Sequence, residues 1–101
     1  MVLIYTTCKD VEQAKKLGQT LVEKKLAACV NVWPLNTMYF WEGKLTDDTE
    51  AALLIKTNEP KIAEVESFIL KNHSYSTPFV GSVLVHRLNR EYKEWMGTVL
   101  A

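Results

Sequence analysis

The groups with which this 101-residue chain could do chemistry are few: two cysteines, two histidines, and lysines set among ten aromatic rings. Cys8 lies in Thr7-Cys8-Lys9-Asp10, just ahead of an expected helix N-terminus, and both that terminus and Lys9 favour a thiolate there. Cys29, inside Ala27-Ala28-Cys29-Val30, has the setting of a buried packing residue. His86 ends an apolar strand and suits a surface position. His73 opens His73-Ser74-Tyr75-Ser76-Thr77-Pro78, where polar and aromatic groups could share a pocket with it. A single imidazole cannot complete a metal site, so any metal would need ligands from distant strands or from another subunit.

Several chemistries are excluded by what is missing. With one cysteine in the first loop there is no Cys-x-x-Cys pair to hold a soft metal, and the loop has no arginine to cradle phosphate. No Gly-rich phosphate loop occurs anywhere. Base stacking would need aromatic residues on the central strands, but Glu50–Thr57 supplies Glu, Ala, Leu and Ile. Twelve basic residues balance twelve acidic ones at a pI near 6.7. The chain therefore lacks the basic field that nucleic acid or an anionic membrane requires. The longest apolar runs, Leu26–Val30 and Ala51–Ile55, are too short to span a bilayer. The opening Val2-Leu3-Ile4-Tyr5 lacks the flanks of a signal peptide, and two distant cysteines fit a reducing cytoplasm better than a disulfide scaffold. One domain over residues 1–101 is expected.

The elements that must position these groups follow from the pattern. Val2–Thr7 is an apolar, β-branched run and predicts a buried strand. Asp10 with Gln13 makes a capping box, and Val11, Ala14, Leu17, Leu21 and Val22 predict an amphipathic helix over Val11–Lys25. Leu26–Val32 predicts a second strand, with an edge position, bend or bulge at Trp33-Pro34 because proline cannot donate to a ladder. Extended chain resumes at Thr37–Trp41, Glu42-Gly43 is a tight hairpin, and the return strand starts at Lys44 and is strongest over Glu50–Thr57. Thr46–Thr49 predicts a bulge or an exposed stretch within it. Asn58 and Pro60 open a second helix, with an apolar stripe of Ile62, Val65, Phe68 and Ile69, ending near Asn72. Phe79–Val85 predicts a fourth strand, and Asn89 caps a last helix carrying Tyr92, Trp95, Met96 and Val99. The order β-α-β-β-α-β is that of a ferredoxin-like α+β sandwich with an added C-terminal helix.

One length is out of proportion. Leu26–Trp41, if extended, spans on the order of 50 Å, whereas a chain of this size has a radius of gyration near 13 Å. The far end of the hairpin must leave its own globule, carrying Trp33, Tyr39, Phe40 and Trp41 with it. Exposed aromatic surface of that kind marks an interface, and a neighbouring subunit is the expected cover.

Leu26-Ala27-Ala28-Cys29-Val30-Asn31 resembles the corresponding segment of the CutA divalent-cation-tolerance proteins. So do Tyr39-Phe40-Trp41-Glu42-Gly43-Lys44, Glu50 before Ile55-Lys56-Thr57, and Tyr92 with Trp95, so that the resemblance runs through the whole chain. It implies a homotrimer related in architecture to the PII signalling proteins, assembled through the Ala27-Thr57 hairpin. It also implies tolerance of divalent metals, copper above all, and no enzymatic reaction. Where relatives have a proline after His73 and an acid after Pro78, this chain has Ser74 and Phe79. Copper ligands assigned in some relatives fall on Thr6, Asn72 and His73, of which only His73 can ligate through a ring; Cys8, on the strand face of Thr6, is the other candidate. The resemblance thus implies an inter-subunit cleft of Trp41, Lys56, His73, Tyr75, Tyr92 and Trp95, with His73 and Cys8 as metal ligands. An anion-sensing module in the PII manner, using Lys56 and the aromatic slot, is the alternative, and a Cys8-dependent enzyme a third reading.

Overall fold

Strict alternation in the first strand separates the two faces of the sheet. In a computed structural model that describes residues 1–100, β1 (Val2–Cys8) buries Val2, Ile4, Thr6 and Cys8 on one side and leaves Leu3, Tyr5 and Thr7 half-buried on the other. It is followed by α1 (Val11–Glu23), β2 (Cys29–Trp41), β3 (Lys44–Thr57), a 3-10 turn at Glu59–Lys61, α2 (Ile62–Asn72), β4 (Val80–Leu84) and α3 (Arg90–Leu100). The four strands form one antiparallel sheet in the order β2-β3-β1-β4, the ferredoxin-like arrangement. α1 and α2 cover one face, and the core lies between them and Val2, Ile4, Leu53 and Ile55. α3 makes a second small cluster at one end, where Met96 and Leu100 pack on Ala28.

Local chemistry explains both ends of α1. The Asp10 carboxylate accepts the Gln13 N–H at 2.8 Å, and the Gln13 side chain accepts the Lys9 N–H at 3.1 Å. The capping box therefore closes one residue earlier than its usual form. The helix stops at Glu23 rather than Lys25, because Lys25 takes the left-handed conformation with φ 59°. Leu26 N–H then reaches Leu21 O and Lys25 N–H reaches Val22 O, the two bonds of a Schellman cap. Val22, expected on the buried stripe, is exposed.

β2 corrects its expected start and bears out the edge position expected at Pro34. It begins at Cys29, three residues later than Leu26, and it runs without a bulge from Cys29↔Lys56 to Trp41↔Lys44. Pro34 keeps register opposite Ala51 because β2 is an edge strand, with no outer partner for a missing donor to fail. Thr46–Thr49 is likewise in register, and solvent-facing apart from half-buried Thr46. Glu42 (φ 51°) and Gly43 (φ 76°) both take positive φ, the signature of the two-residue turn that suits twisted hairpins. β4 starts at Val80, one residue later than Phe79.

β1 ends opposite Ala51, so Leu35–Trp41 and Lys44–Glu50 pair only with each other. This free ribbon is on the order of 24 Å long, and it stretches the molecule to 48 × 26 × 21 Å with a radius of gyration of 14.5 Å. Met38 (65% exposed), Phe40 (75%), Trp41 (65%) and Leu45 (64%) lie along it in solvent. The ribbon does not fold back on its own sheet.

Candidate functional site

Side-chain parity puts the chemistry on the sheet face that no helix of this chain fills. Lys56, Leu54, Ala52 and Glu50 of β3 share it with Cys29, Asn31, Trp33 and Leu35 of β2, each directly opposite its partner. At its centre Tyr5 touches Trp33 (ring centroids 6.4 Å apart) and, edge-on, Phe79 (6.2 Å).

At the ribbon end, two long-range bonds tie the loop after α2 to the sheet, and one local bond braces the loop between them. The His73 ring nitrogen Nε2 donates to Thr7 O at 2.8 Å; a carbonyl can only accept, so Nε2 carries the proton. Nδ1 then accepts the Tyr75 N–H at 3.1 Å, and the two rings stack with centroids 4.8 Å apart. Tyr75 in turn donates its hydroxyl to Glu50 at 2.7 Å, at the base of the ribbon. Burial first, then the Glu50 carboxylate, pushes the Tyr75 phenol well above its ordinary range. Beyond this latch a cavity of about 700 Å³ opens between ribbon and loop, lined by Tyr39, Trp41, Asp48, Glu50, Tyr75 and Lys9.

The remaining candidates sit at the opposite end of the same face. Lys56 Nζ lies 5.5 Å over the Tyr92 ring, whose centroid is 5.3 Å from that of Trp95. The Tyr92 phenol is also raised, by burial and by neighbouring Cys29. Glu50 and Lys56 are six positions apart on one strand, about 20 Å. A single chain therefore joins Trp41, His73 and Tyr75 in one group and Lys56, Tyr92 and Trp95 in another, and does not bring the two together. Glu50, Tyr39 and Asp48 belong to the first group and were missing from the sequence-derived set. The partners of Glu50 are distant in sequence, and its one local signal was an acid standing before an apolar strand.

The metal set gains no support from these contacts. His73 has both ring nitrogens engaged, and Cys8 is fully buried against the helices. Among the described residues no three His, Cys, Asp or Glu side chains converge on a common point, so the donors of one chain do not fit a metal. The expected Cys8 thiolate is corrected outright. Burial, and after it the carboxylates of Asp10 and Glu50, push the thiol up to about 11, outweighing the helix terminus and Lys9. In native protein at pH 8 a disulfide reagent should titrate half-exposed Cys29 promptly and Cys8 only on unfolding; two equally fast thiols would contradict this assignment. Because the fold holds the Cys8 proton more tightly than the unfolded chain does, stability should be complete below pH 9. It should then fall as pH rises towards 11. Urea midpoints across that window, compared with Cys8→Ala, measure the effect.

Fold and face together define an α+β sandwich of ferredoxin type with one uncovered, aromatic sheet face and a projecting ribbon. The chain belongs to the CutA1 divalent ion tolerance protein family, whose model matches residues 2–99. It is 40% identical over 93 residues to the divalent-cation tolerance protein CutA of Archaeoglobus fulgidus, covering 92% of this chain and 91% of that one. It is 35% identical over 96 residues to the chloroplastic CutA of Arabidopsis thaliana, covering 94% of this chain and 53% of the other. The structure of the periplasmic CutA from Archaeoglobus fulgidus superposes with a TM-score of 0.93 at 37% identity over the whole of both chains. That of CutA1 from Pyrococcus horikoshii does so with a TM-score of 0.94 at 32% identity, covering 100% of this chain and 99% of that one. The family is named for tolerance of divalent ions and not for a reaction.

Proposed function

We propose that this protein serves divalent-cation tolerance, copper in particular, as a non-enzymatic homotrimer in the cytoplasm, through a cleft that two copies complete. The observation that carries the reading is the division of the candidate residues: Trp41, His73 and Tyr75 stand at one end of an uncovered face, and Lys56, Tyr92 and Trp95 at the other. Two sheet edges are free, β2 and β4, and they run in opposite directions. A ribbon edge laid on the β4 edge of the next copy continues the sheet antiparallel, and a head-to-tail contact of this kind can close into a ring. In such a ring the ribbon aromatics are covered, and one copy's ribbon group faces another copy's surface. A divalent cation held there draws donors from more than one chain.

Copper titration by calorimetry tests this. His73→Ala should weaken binding by about 10- to 100-fold, the range typical of groups that orient a metal site. Cys8→Ser should leave binding unchanged, since its thiol is buried and protonated. Equal affinity in native protein and His73→Ala removes the cleft from the reading. A second reading, recognition of a small anionic metabolite, is favoured by Lys56, which rests on Tyr92 without a carboxylate partner. Among the described residues the only ion pair is Arg90–Glu94.

A further inference from the structure

Away from the sheet face, an open cavity of about 330 Å³ lies at the junction of β4 and α3. Its floor is apolar: Met96 is buried, and Val85 and Leu88 are half-buried. The rim is basic. His86, Arg87 and Lys93 line it, and among the described residues no carboxylate does. The site is held from three directions. Val85 N–H donates to Met1 O at 3.0 Å, fixing the end of β4 to the start of β1, and Lys93 N–H donates to Asn89 O at 3.2 Å in the first turn of α3. From the end of β3, half-buried Asn58 lines the same cavity, and its side chain makes no capping bond to the 3-10 turn it precedes.

Charge is segregated here although the chain as a whole is neutral. The segment His86–Lys93 holds Arg87, Arg90 and Lys93 against a single acid, Glu91. Of the three cations only Arg90 is paired among the described residues, with Glu94 at 3.7 Å, and Arg90 does not line the cavity. Arg87 and Lys93 are therefore solvent-exposed cations, without an ion pair among the described residues, that converge on an apolar pocket with an uncommitted amide at its wall. A guanidinium offers two parallel donors to a planar or tetrahedral oxyanion, and an ammonium adds a point charge. An apolar floor beneath such a rim fits a ligand with one anionic head and a hydrophobic body, and the cavity size suits a small molecule.

We propose that this pocket binds a small organic phosphate monoester, with Arg87 and Lys93 on the phosphate, Asn58 beside it, and the carbon body against Val85, Leu88 and Met96. The site is separate from the sheet-face cleft and does not depend on the metal reading. Phenyl phosphate serves as the probe, with inorganic phosphate and phenol as its two halves, followed by backbone amide shifts of the full chain at low ionic strength. Saturable shifts centred on Asn58 and residues 85–96 are expected with phenyl phosphate, weaker ones with inorganic phosphate, and none with phenol. Arg87→Gln and Lys93→Gln, both at exposed positions, should each weaken binding about tenfold, and raised salt should weaken it further. Lys56→Gln should change nothing, which separates this site from the sheet-face alternative. Undiminished affinity in the Arg87→Gln/Lys93→Gln double variant would overturn the proposal, as would shifts centred on Lys56 and Tyr92. So would sedimentation with phosphatidic-acid vesicles in the absence of any response to phenyl phosphate, since the anion would then be a membrane headgroup.

Discussion

At micromolar concentration the purified protein should sediment as three chains of 11.6 kDa each, and Trp41→Asp should reduce it to single chains. A two-stranded ribbon is marginal alone in water, yet this one continues for seven paired positions past the end of β1 with apolar side chains on both faces. Tyr39 and Trp41 point to the sheet-face side, and Met38, Phe40 and Leu45 to the other. Covering such rings on a neighbour stabilises the ribbon and the assembly together. A central aromatic anchor typically contributes about 2–4 kcal/mol to an interface, and a closed ring of three copies loses that amount at three interfaces at once. Trp41 is 65% exposed and immediately precedes the Glu42-Gly43 turn, so its replacement removes little from the fold of the single chain. Analytical ultracentrifugation of native and variant protein reads the result. A native monomer at this concentration, or a Trp41→Asp trimer of undiminished stability, would remove the ribbon from the assembly.

What could be seen in the sequence was local or periodic. The capping pair Asp10 and Gln13, the Glu42-Gly43 turn, the stripe Ile62, Val65 and Ile69, and the excess length of the hairpin all depend on residues close in sequence. Errors arose where tertiary context decides. At Pro34 an edge position, a bend and a bulge all stood open, and only the sheet order selects the edge. The position of Lys25 outside α1 depends on Leu26 being drawn into the core, which places the left-handed turn just before it. Cys8 is the instructive case. Alternation alone puts it on the face of Val2 and Ile4, and that signal for burial was available, but the approaching helix terminus suggested a thiolate instead. Desolvation is the larger effect.

The site was less visible than the fold for a related reason. The aromatic, histidine and lysine members were identifiable by type, but their grouping depends on strand register, and register places Glu50 and Lys56 at opposite ends of one face. The bonds His73–Thr7 and Tyr75–Glu50 span 66 and 25 residues. No spacing rule predicts such pairs. They show that the loop after α2 is bolted both to the sheet and to the base of the ribbon. His73, Tyr75 and the base of the chain's own ribbon are thus parts of one mechanical unit.

That unit rests on the contact between α1 and β3, where the second large effect is expected. Leu53 is fully buried between Thr6 of β1 and Val32 of β2, and Leu53→Ala should cost about 3–4 kcal/mol, within the usual range for a cavity left in a core. Against a total stability of roughly 5–15 kcal/mol this is a severe loss. Facing it, Gly18 sits inside α1, where alanine would gain about 1 kcal/mol of helix propensity. A Cβ there would lie 2.9 Å from Val30 Cγ2 and 3.1 Å from Leu53 Cδ1. Valine is stiff at χ1 and cannot swing clear, so overpacking of about 1–3 kcal/mol outweighs the propensity gain and Gly18→Ala should destabilise. The two sites share one volume, and their effects should not add. In the Leu53→Ala background the new methyl loses its clash with Leu53 and part of the cavity is refilled, so the double variant should be more stable than the sum predicts by at least about 1 kcal/mol. Urea unfolding at one fixed protein concentration, which holds any assembly contribution constant, gives all four corners of the cycle. Strict additivity would mean that α1 has shifted away from the sheet, and that the close approach at Gly18 does not set the position of the helix.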